Sequence, residues 1–448
     1  MEQSLAICSN LTSYMLLEIF EKKIEYLLAD NSIVKIAVAV SGGVDSVALA
    51  VLLSDWSKKK GFAVTILTVN HNLRSEAKLE ADYVLSLADK LGYNAFSLSW
   101  NNHGSSSNLQ ERARIGRYDL MTEKCQELGI NILLTAHHLD DMIETYYMRK
   151  LRKSSIFGLS TSCKHFYNNI MIIRPLAQVP KVELIKYLTK QQVTWYEDDS
   201  NQSSKYQRNR VRQKIAKMNA NDQENLLQEM NKVDQQVKIL NDKLITAIAE
   251  IVKINNYGVA IIDVSKYITL ELAIKIQLIN YVLTIISGKK NIPRYRNIEK
   301  LLDKIILGNK IACTLHNCSL RSDGNMIVIY KEKAYIDKQE IKFTDQVVWD
   351  NRFLLKAKNK PYVRNNNVYV GCLNMQDYSS IKKQIDFDKF SAVGINKHKE
   401  VLFSLPVIKN VKKIIAIPHL CYYDNMEFND GVEIIFRPNY ISRFTHFI

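Results

Sequence analysis

The chain has 448 residues, enough for two or three domains with separate cores. Its 61 lysines and arginines outnumber its 46 acids, and the net charge of +15 favours an anionic partner, with nucleic acid ahead of a membrane surface. Seven scattered cysteines without a C-x-x-C motif argue against a disulfide framework and against zinc or iron–sulfur sites. No apolar run is long enough to cross a membrane, and the acid-containing N-terminus predicts an amphipathic helix rather than a signal peptide, so we expect a cytoplasmic protein.

A strand, a glycine loop and a helix form the next predicted unit. Apolar residues at 33–40 predict the strand, and those at 47–53 predict the helix. Two glycines permit positive φ in the loop, and N–H groups of the loop and of the first helical turn would point at one spot that suits phosphate. The loop has neither the lysine of G-x-x-x-x-G-K-S/T nor the spacing G-x-G-x-x-G, and a plain glycine turn is the alternative. Its S-G-G-x-D-S form resembles the pyrophosphate loop (PP-loop) of the N-type ATP pyrophosphatases, in the run Ser41-Gly42-Gly43-Val44-Asp45-Ser46.

Strands and helices go on alternating through the first two hundred residues. This alternation predicts an α/β fold with a doubly wound parallel sheet. The resemblance of the loop implies that the sheet is of the PP-loop ATP pyrophosphatase type. A helical region and then a small β-containing region follow. The predicted domains are 1–215, 216–333 (mainly helical) and 334–448 (α+β). The predicted strands are 63–70, 94–100, 131–135 and 171–174, and the predicted helices are 76–91, 109–129, 139–151 and one from about 180.

Polar residues follow three of these strands, in Ser41–Ser46, in 70–74 and in 135–145. Ligands of doubly wound sheets bind at the carboxyl ends of the strands, so we expect a site there. Asp141 and Glu144 are three apart on a helix and share one face. Their carboxylates suit Mg²⁺ beside a triphosphate or, equally, an amine cation. His137 or His138 is a candidate for a phosphate contact or proton transfer, and a capped helix with solvated acids is the alternative.

Basic residues are concentrated in two further segments. Arg114 and Arg117 share a helix face that could meet phosphate or carboxylate. A second cluster ends the first predicted domain, and its members are either phosphate contacts or a solvated face. That cluster consists of Arg208, Arg210 and Arg212.

Taken in order, these motifs resemble the tRNA(Ile)-lysidine synthase family over about the first half of the chain. The resemblance implies an ATP-dependent ligase that adenylates the C2 oxygen of the wobble cytidine in the isoleucine tRNA with a CAU anticodon. The ε-amine of L-lysine then displaces AMP to give lysidine, which changes decoding from AUG to AUA. The motifs are Ser41–Ser46, 70–74, Ala113–Tyr118, Ala136–Thr145, Arg174–Leu176, Glu197–Asn201 and Arg208–Arg210.

The resemblance also implies roles for individual residues. Ser41–Ser46 would hold the ATP phosphates, with Asp45 near Mg²⁺ and pyrophosphate. Arg114 and His137 would contact the nucleotide or the adenylate, and Asp141 and Glu144 would receive lysine. Asp45, His137 and Asp141 are the predicted catalytic residues, and the helical and C-terminal regions would bind tRNA together with Arg208, Arg210 and Arg212. Met142, where the family often has glutamine, and the missing glycines at 152–155 are departures.

Other functions remain open from the sequence. A tRNA thiolase would use the same adenylation, although no C-x-x-C is present. A small-molecule synthetase would leave the +15 charge unexplained. A non-catalytic ATP- and tRNA-binding protein is the alternative outside the enzymes. The oligomeric state is undecided, and a homodimer is compatible with the sequence.

Overall fold

The computed structural model describes residues 13–28, 35–70, 76–100, 109–197, 207–358, 363, 367–385, 398–410, 413–424 and 431–438. The predicted motifs at 71–74 and 198–201 therefore lie outside the described residues. By contacts the chain divides into two compact units, Met1–Ile239 and Leu240–Ile448. None of the helices in the described ranges is both long and apolar enough to span a membrane.

One six-stranded sheet organises the first unit, in the order β3-β2-β1-β4-β6-β5. Five of its strands run parallel, which confirms the predicted doubly wound α/β fold. The edge strand β5 is an addition, since it pairs antiparallel with β6 through a tight turn at Asn168 and Asn169, both at positive φ. The strands are β1 Lys35–Ala39, β2 Ala63–Asn70, β3 Asn94–Ser99, β4 Ile132–Leu134, β5 Lys164–Tyr167 and β6 Ile170–Ile173.

Helices cover this sheet, and the one after β1 is the most deeply buried. Leu49, Leu52 and Leu53 on that helix are fully buried, and each such side chain contributes about 1.5–3 kcal/mol through burial. Trp56 stacks on Phe62, with ring centroids 4.7 Å apart. This packing fixes the helix, and hence the loop before it. The helices are α1 Ser13–Leu28, α2 Val44–Lys60, α3 Glu76–Leu91, α4 Leu109–Glu127, α5 Leu139–Leu151, α6 Ile156–Leu159, α7 Lys181–Lys190, α8 Gln207–Ala216 and α9 Ala220–Ile251.

The second unit combines helices with three antiparallel sheets, ordered β7-β8-β11-β10-β9, β12-β15-β16-β17-β18 and β13-β14-β19. Its helices are α10 Val264–Tyr267, α11 Leu272–Ser287, α12 Tyr295–Ile306 and α13 Met375–Ile381. Its strands are β7 Val252–Ile254, β8 Val259–Asp263, β9 Ala312–Leu315, β10 Cys318–Asp323, β11 Met326–Lys331, β12 Ile341–Lys342, β13 Gln346–Trp349, β14 Phe353–Ala357, β15 Tyr369–Gly371, β16 Val407–Lys409, β17 Ile414–Ile417, β18 Tyr422–Tyr423 and β19 Val432–Phe436.

One of these sheets lies within the region 216–333, which the sequence predicted to be mainly helical. It consists of β7 to β11, and α11 packs on it. A buried ion cluster links β11 to the turn after β13. In it Asp350 binds both Lys331, at 2.5 Å, and the fully buried Arg352, at 2.6 Å. Because a buried charge is tolerated only when it is paired, this cluster fixes the conformation of the turn.

Candidate active site

The candidate site lies where the strand order of the first sheet reverses. β1 and β4 are parallel neighbours, with Ala37 opposite Leu133, and the winding proceeds away from them in both directions. The segments after these two strands therefore open into one crevice at the carboxyl edge of the sheet.

The loop after β1 is held in shape by its own hydrogen bonds. Gly42 lies at φ +86°, a conformation that L side chains rarely adopt. The buried Ser46 hydroxyl accepts from the Ser41 N–H at 3.1 Å and donates to the Gly43 carbonyl at 2.9 Å. Tyr196 N–H donates to the Gly42 carbonyl at 2.9 Å. The first N–H groups of a helix lack acceptors within it, so the start of α2 has donors of the kind that bind phosphate.

His138 ties this loop to the start of α5. Its side chain is 2% exposed, and its ring nitrogens lie 3.3–3.6 Å from carboxylate oxygens of Asp45, Asp140 and Asp141. Burial by itself lowers the pKa of His138, but the three carboxylates outweigh burial and raise it above the ordinary value. The three acids thus favour the protonated form of the histidine, and all three approach its ring. The residue pattern left both histidines as candidates and the resemblance selected His137, whereas it is His138 that the structure places among the acids.

Asp45 stands in the first turn of α2 and faces two cations. Its Oδ2 lies 3.6 Å from His138 and 3.6 Å from the Lys181 ammonium. Burial raises the pKa of Asp45, and the two cations act against this rise. Its other oxygen, Oδ1, is buried without a hydrogen-bond partner. A buried oxygen without a partner suits a ligand that is itself a cation or a donor. Lys181 was missed from the sequence, because it comes from α7 and no local pattern links it to the loop.

His137 differs from its neighbour in charge. Its Nδ1 lies 3.2 Å from the Thr135 hydroxyl. Burial, followed by the positive charge of Arg174, lowers the pKa of His137 to about 3. The imidazole is therefore neutral at physiological pH, and it can exchange hydrogen bonds with a nucleotide without adding charge.

Asp141 and Glu144 lie one turn apart on α5, and two arginines of α8 bind them. Arg208 contacts both acids, with Nη2 2.7 Å from Asp141 and Nε 2.7 Å from Glu144. Arg212 Nε lies 2.6 Å from the second Glu144 oxygen. Burial raises the pKa of Asp141, but His138 and Arg208 outweigh burial and lower it, so the acid is ionised at neutral pH. The two acids are three residues apart and the two arginines are four residues apart, so each pair lies on one helix face. This spacing was the only feature of the sequence that indicated the two pairs.

The remaining predicted residues lie at the surface. Arg114 on α4 and Arg210 on α8 are both exposed. Neither forms a salt bridge with an acid of the described part of the chain. The described residues also contain no cluster of three or more His, Cys, Asp or Glu side chains that could hold a metal by themselves.

Fold and site together define a PP-loop protein, and residues 16–219 match the PP-loop domain family. The chain is 42% identical over 438 residues to the tRNA(Ile)-lysidine synthase of Rickettsia felis, covering 97% of this chain and 100% of that one. With the tRNA(Ile)-lysidine synthase of Rickettsia akari it shares 43% over 435 residues, at the same coverage. The chain belongs to the tRNA(Ile)-lysidine synthase family. The U34-tRNA thiolase NcsA from Methanococcus maripaludis is similar at TM-score 0.44 and 16% identity, over 53% of this chain and 88% of that one, which is too distant to support an argument about function.

Proposed function

We propose that this protein is the ATP-dependent ligase that forms lysidine at the wobble position of isoleucine tRNA with a CAU anticodon. The C2 oxygen of the cytidine attacks the α-phosphate of ATP, and pyrophosphate leaves. The ε-amine of lysine then forms the C2–N bond, and AMP leaves with the C2 oxygen. The observation that carries this proposal is one crevice with a phosphate loop on one wall and paired acids on the other, in a chain related to lysidine synthases over almost its full length.

In the first half-reaction, the loop Ser41–Ser46 holds the ATP phosphates. Its fixed backbone and the start of α2 support this role. The buried Oδ1 of Asp45, which has no partner, fits Mg²⁺, which typically binds one or two carboxylates together with substrate phosphates. Bound there, Mg²⁺ would neutralise charge on the departing pyrophosphate. Arg114 and the neutral His137 contact the nucleotide or the adenylated cytidine.

In the second half-reaction, Asp141 and Glu144 receive lysine. The guanidinium groups of Arg208 and Arg212 mark the positions at which these acids bind cationic N–H donors. Arg208 also lowers the pKa of Asp141 and so keeps that carboxylate ionised, which an incoming ammonium group requires. Binding of lysine in this position needs the arginines to share or release the acids. Asp141, with Asp45 and His137, completes the proposed catalytic set.

The tRNA is proposed to lie on the basic surface that begins at α8. Arg210 is exposed and free to contact phosphate, and Arg208 and Arg212 retain N–H donors beyond those that bind the acids. The central region 216–333 and the C-terminal region 334–448 are proposed as domains that bind the tRNA body, and the region 1–215 is proposed as the catalytic domain. Work on tRNA implies a cytoplasmic enzyme, and light scattering would test whether it is a homodimer.

The deciding experiment supplies labelled lysine, ATP, Mg²⁺ and an unmodified isoleucine tRNA transcript, and then identifies the product nucleoside. We expect lysidine together with stoichiometric AMP and pyrophosphate. Asp141→Asn serves as the inactive control, and a methionine tRNA transcript tests substrate choice. Sulfur incorporation would point to a thiolase instead, and tRNA binding without AMP release would reduce the protein to a binding role.

A further inference from the structure

Three arginines beside the crevice take no part in the function described so far. Arg117 comes from α4, Arg149 from the last turns of α5, and Arg174 directly follows β6; we call them the arginine cluster. Arg149 Nη1 donates to the Ser160 carbonyl at 2.7 Å, and Arg174 Nη1 donates to the Ser162 carbonyl at 3.3 Å. These carbonyls are two residues apart on one segment, so the two guanidinium groups are neighbours.

None of the three arginines forms a salt bridge with an acid of the described ranges, whereas Arg208 and Arg212 on α8 are both paired. Asp234 acts on Arg149, and Asp141 acts on Arg174, only without direct contact. The Nε atoms of Arg117 and Arg174 are buried without any hydrogen-bond partner. Burial lowers the pKa of all three, and the neighbouring Arg114 lowers it further. Partly buried guanidinium groups repel one another, and their unpaired N–H donors have lost hydrogen bonds to water. Keeping them together therefore costs free energy unless an anion binds them.

The position of the cluster indicates which anion this is. Arg174 and Arg117 are near enough to His137 to lower its pKa, so the cluster adjoins the reaction centre. It also extends away from that centre, because the rise of 1.5 Å per residue places the backbone of Arg149 about 12 Å along α5 from Asp141. The ATP phosphates already have a site in the loop Ser41–Ser46. A polymer whose phosphates continue beyond the reacting nucleotide fits this extension better than a second triphosphate.

We propose that the arginine cluster binds a backbone phosphate of the RNA next to the wobble cytidine, a proposal that rests on the proposed function. Planar guanidinium groups with several N–H donors match phosphate oxygens in a bidentate manner. A phosphate fixed there holds the attached nucleotide with its C2 oxygen toward the ATP α-phosphate. The contact positions the substrate and does not read its sequence.

The test measures affinity for unmodified isoleucine tRNA at several salt concentrations, for the full-length protein and its Arg149→Gln and Arg174→Gln variants. We expect about tenfold weaker binding for each variant, as for loss of a charge-assisted contact. The slope of log affinity against log salt should become shallower by about 0.7 per lost contact. ATP affinity should stay at the wild-type value. Arg149→Lys keeps the charge but loses the planar fork, so it should restore the salt slope and only part of the affinity.

Lys58→Ala is the matched control, because this exposed lysine in the last turn of α2 lies at the opposite edge of the sheet. It should leave tRNA binding unchanged. If Arg174→Gln does not fold, Arg149→Gln and Arg149→Lys still decide the matter. Unchanged tRNA affinity and slope would overturn the proposal, and so would weaker ATP binding with unchanged tRNA binding, which would assign the cluster to the nucleotide. Failure of the wild type to make lysidine would instead refute the proposed function.

Discussion

Glu144→Gln tests whether the acids of α5 hold lysine. Glu144 is 3% exposed and accepts two charge-assisted hydrogen bonds, from Arg208 at 2.7 Å and Arg212 at 2.6 Å. Glutamine keeps the shape but removes the charge, and it can accept through only one of its two terminal atoms. A hydrogen bond to a charged group contributes about 1.5–3 kcal/mol, which corresponds to about tenfold to a hundredfold in affinity.

The two arginines decide where in that range the stability effect falls. Their side chains are 40% and 45% exposed, so water can replace part of the hydrogen bonding that the Glu144 carboxylate supplied. The loss of folding stability therefore falls at the lower end of the range of about 1.5–3 kcal/mol. Glu144 itself is buried, so we apply the full range to a lysine ammonium group that is proposed to bind it. We therefore expect an unfolding free energy lower by about 1.5 kcal/mol and a lysine KM raised about tenfold to a hundredfold.

The assay follows lysidine formation at varied lysine concentration with saturating ATP and tRNA, and then at varied ATP with saturating lysine. The KM for ATP should stay close to wild type, because the proposed phosphate site is the loop Ser41–Ser46 rather than the acids of α5. Glu229→Gln is the control, since this partly exposed acid forms an ion pair with Lys150 whose own side chain is 47% exposed, away from the acids of α5. An unchanged lysine KM in Glu144→Gln would refute the reasoning and place the amino acid elsewhere.

Four further predictions concern other parts of the molecule. Asp45→Ala should abolish AMP formation and leave tRNA binding nearly intact; AMP formation at the wild-type rate would contradict its placement at the phosphates. Arg210→Ala should weaken tRNA binding and reduce the slope of log affinity against log salt concentration by about 0.7–0.9. If the variant and the wild type instead give the same affinity and the same slope, this arginine is a solvated surface residue. The raised pKa of His138 means that its stabilising contribution is complete below about pH 6.5 and is lost as pH rises through the folded value. Urea unfolding should therefore show a larger cost of His138→Gln at about pH 6 than at about pH 9, and equal costs would contradict this sign. Gly116→Ala should lower the unfolding free energy by about 1–3 kcal/mol, since its Cβ would lie 2.1 Å from Trp100 Nε1 and α4 would have to move; an unchanged melting temperature would show that the indole moves instead.

Local patterns were sufficient to predict most of the first unit. β2, α3 and α5 have the bounds that hydrophobic periodicity and the flanking turn residues indicated. The edge strand β5 escaped prediction because its four half-buried residues show no alternation, and because asparagines rather than glycine form its turn. In the second unit the sequence predicted only a helical and a β-containing region, because sheet membership there depends on pairings between distant segments, which periodicity does not encode.

The site divides in the same way. The rule that ligands bind at strand ends indicated where polar residues would gather, and the structure brings Asp45, His138 and Asp141 within reach of one another. The partners of the α5 acids were not predictable, because Arg208 lies 64 positions from Glu144 along the chain. A charge run in the sequence shows that basic residues share a helix, and it does not show which face meets an acid. Only the packing of α8 against α5 settles that.

The two sets of arginines around the crevice are compensated in opposite ways, and this difference fits the two charged substrates. Acids of α5 neutralise Arg208 and Arg212, so that part of the crevice is prepared to exchange one cation for another. Arg117, Arg149 and Arg174 form no salt bridge with an acid of the described ranges, which agrees with the phosphate contact that we propose for them. Contacts to RNA phosphate at an open surface are screened by salt, whereas a buried ammonium–carboxylate pair is screened much less. If the acids of α5 bind lysine and the arginine cluster binds RNA phosphate, added salt should raise the KM for tRNA steeply and the KM for lysine only slightly.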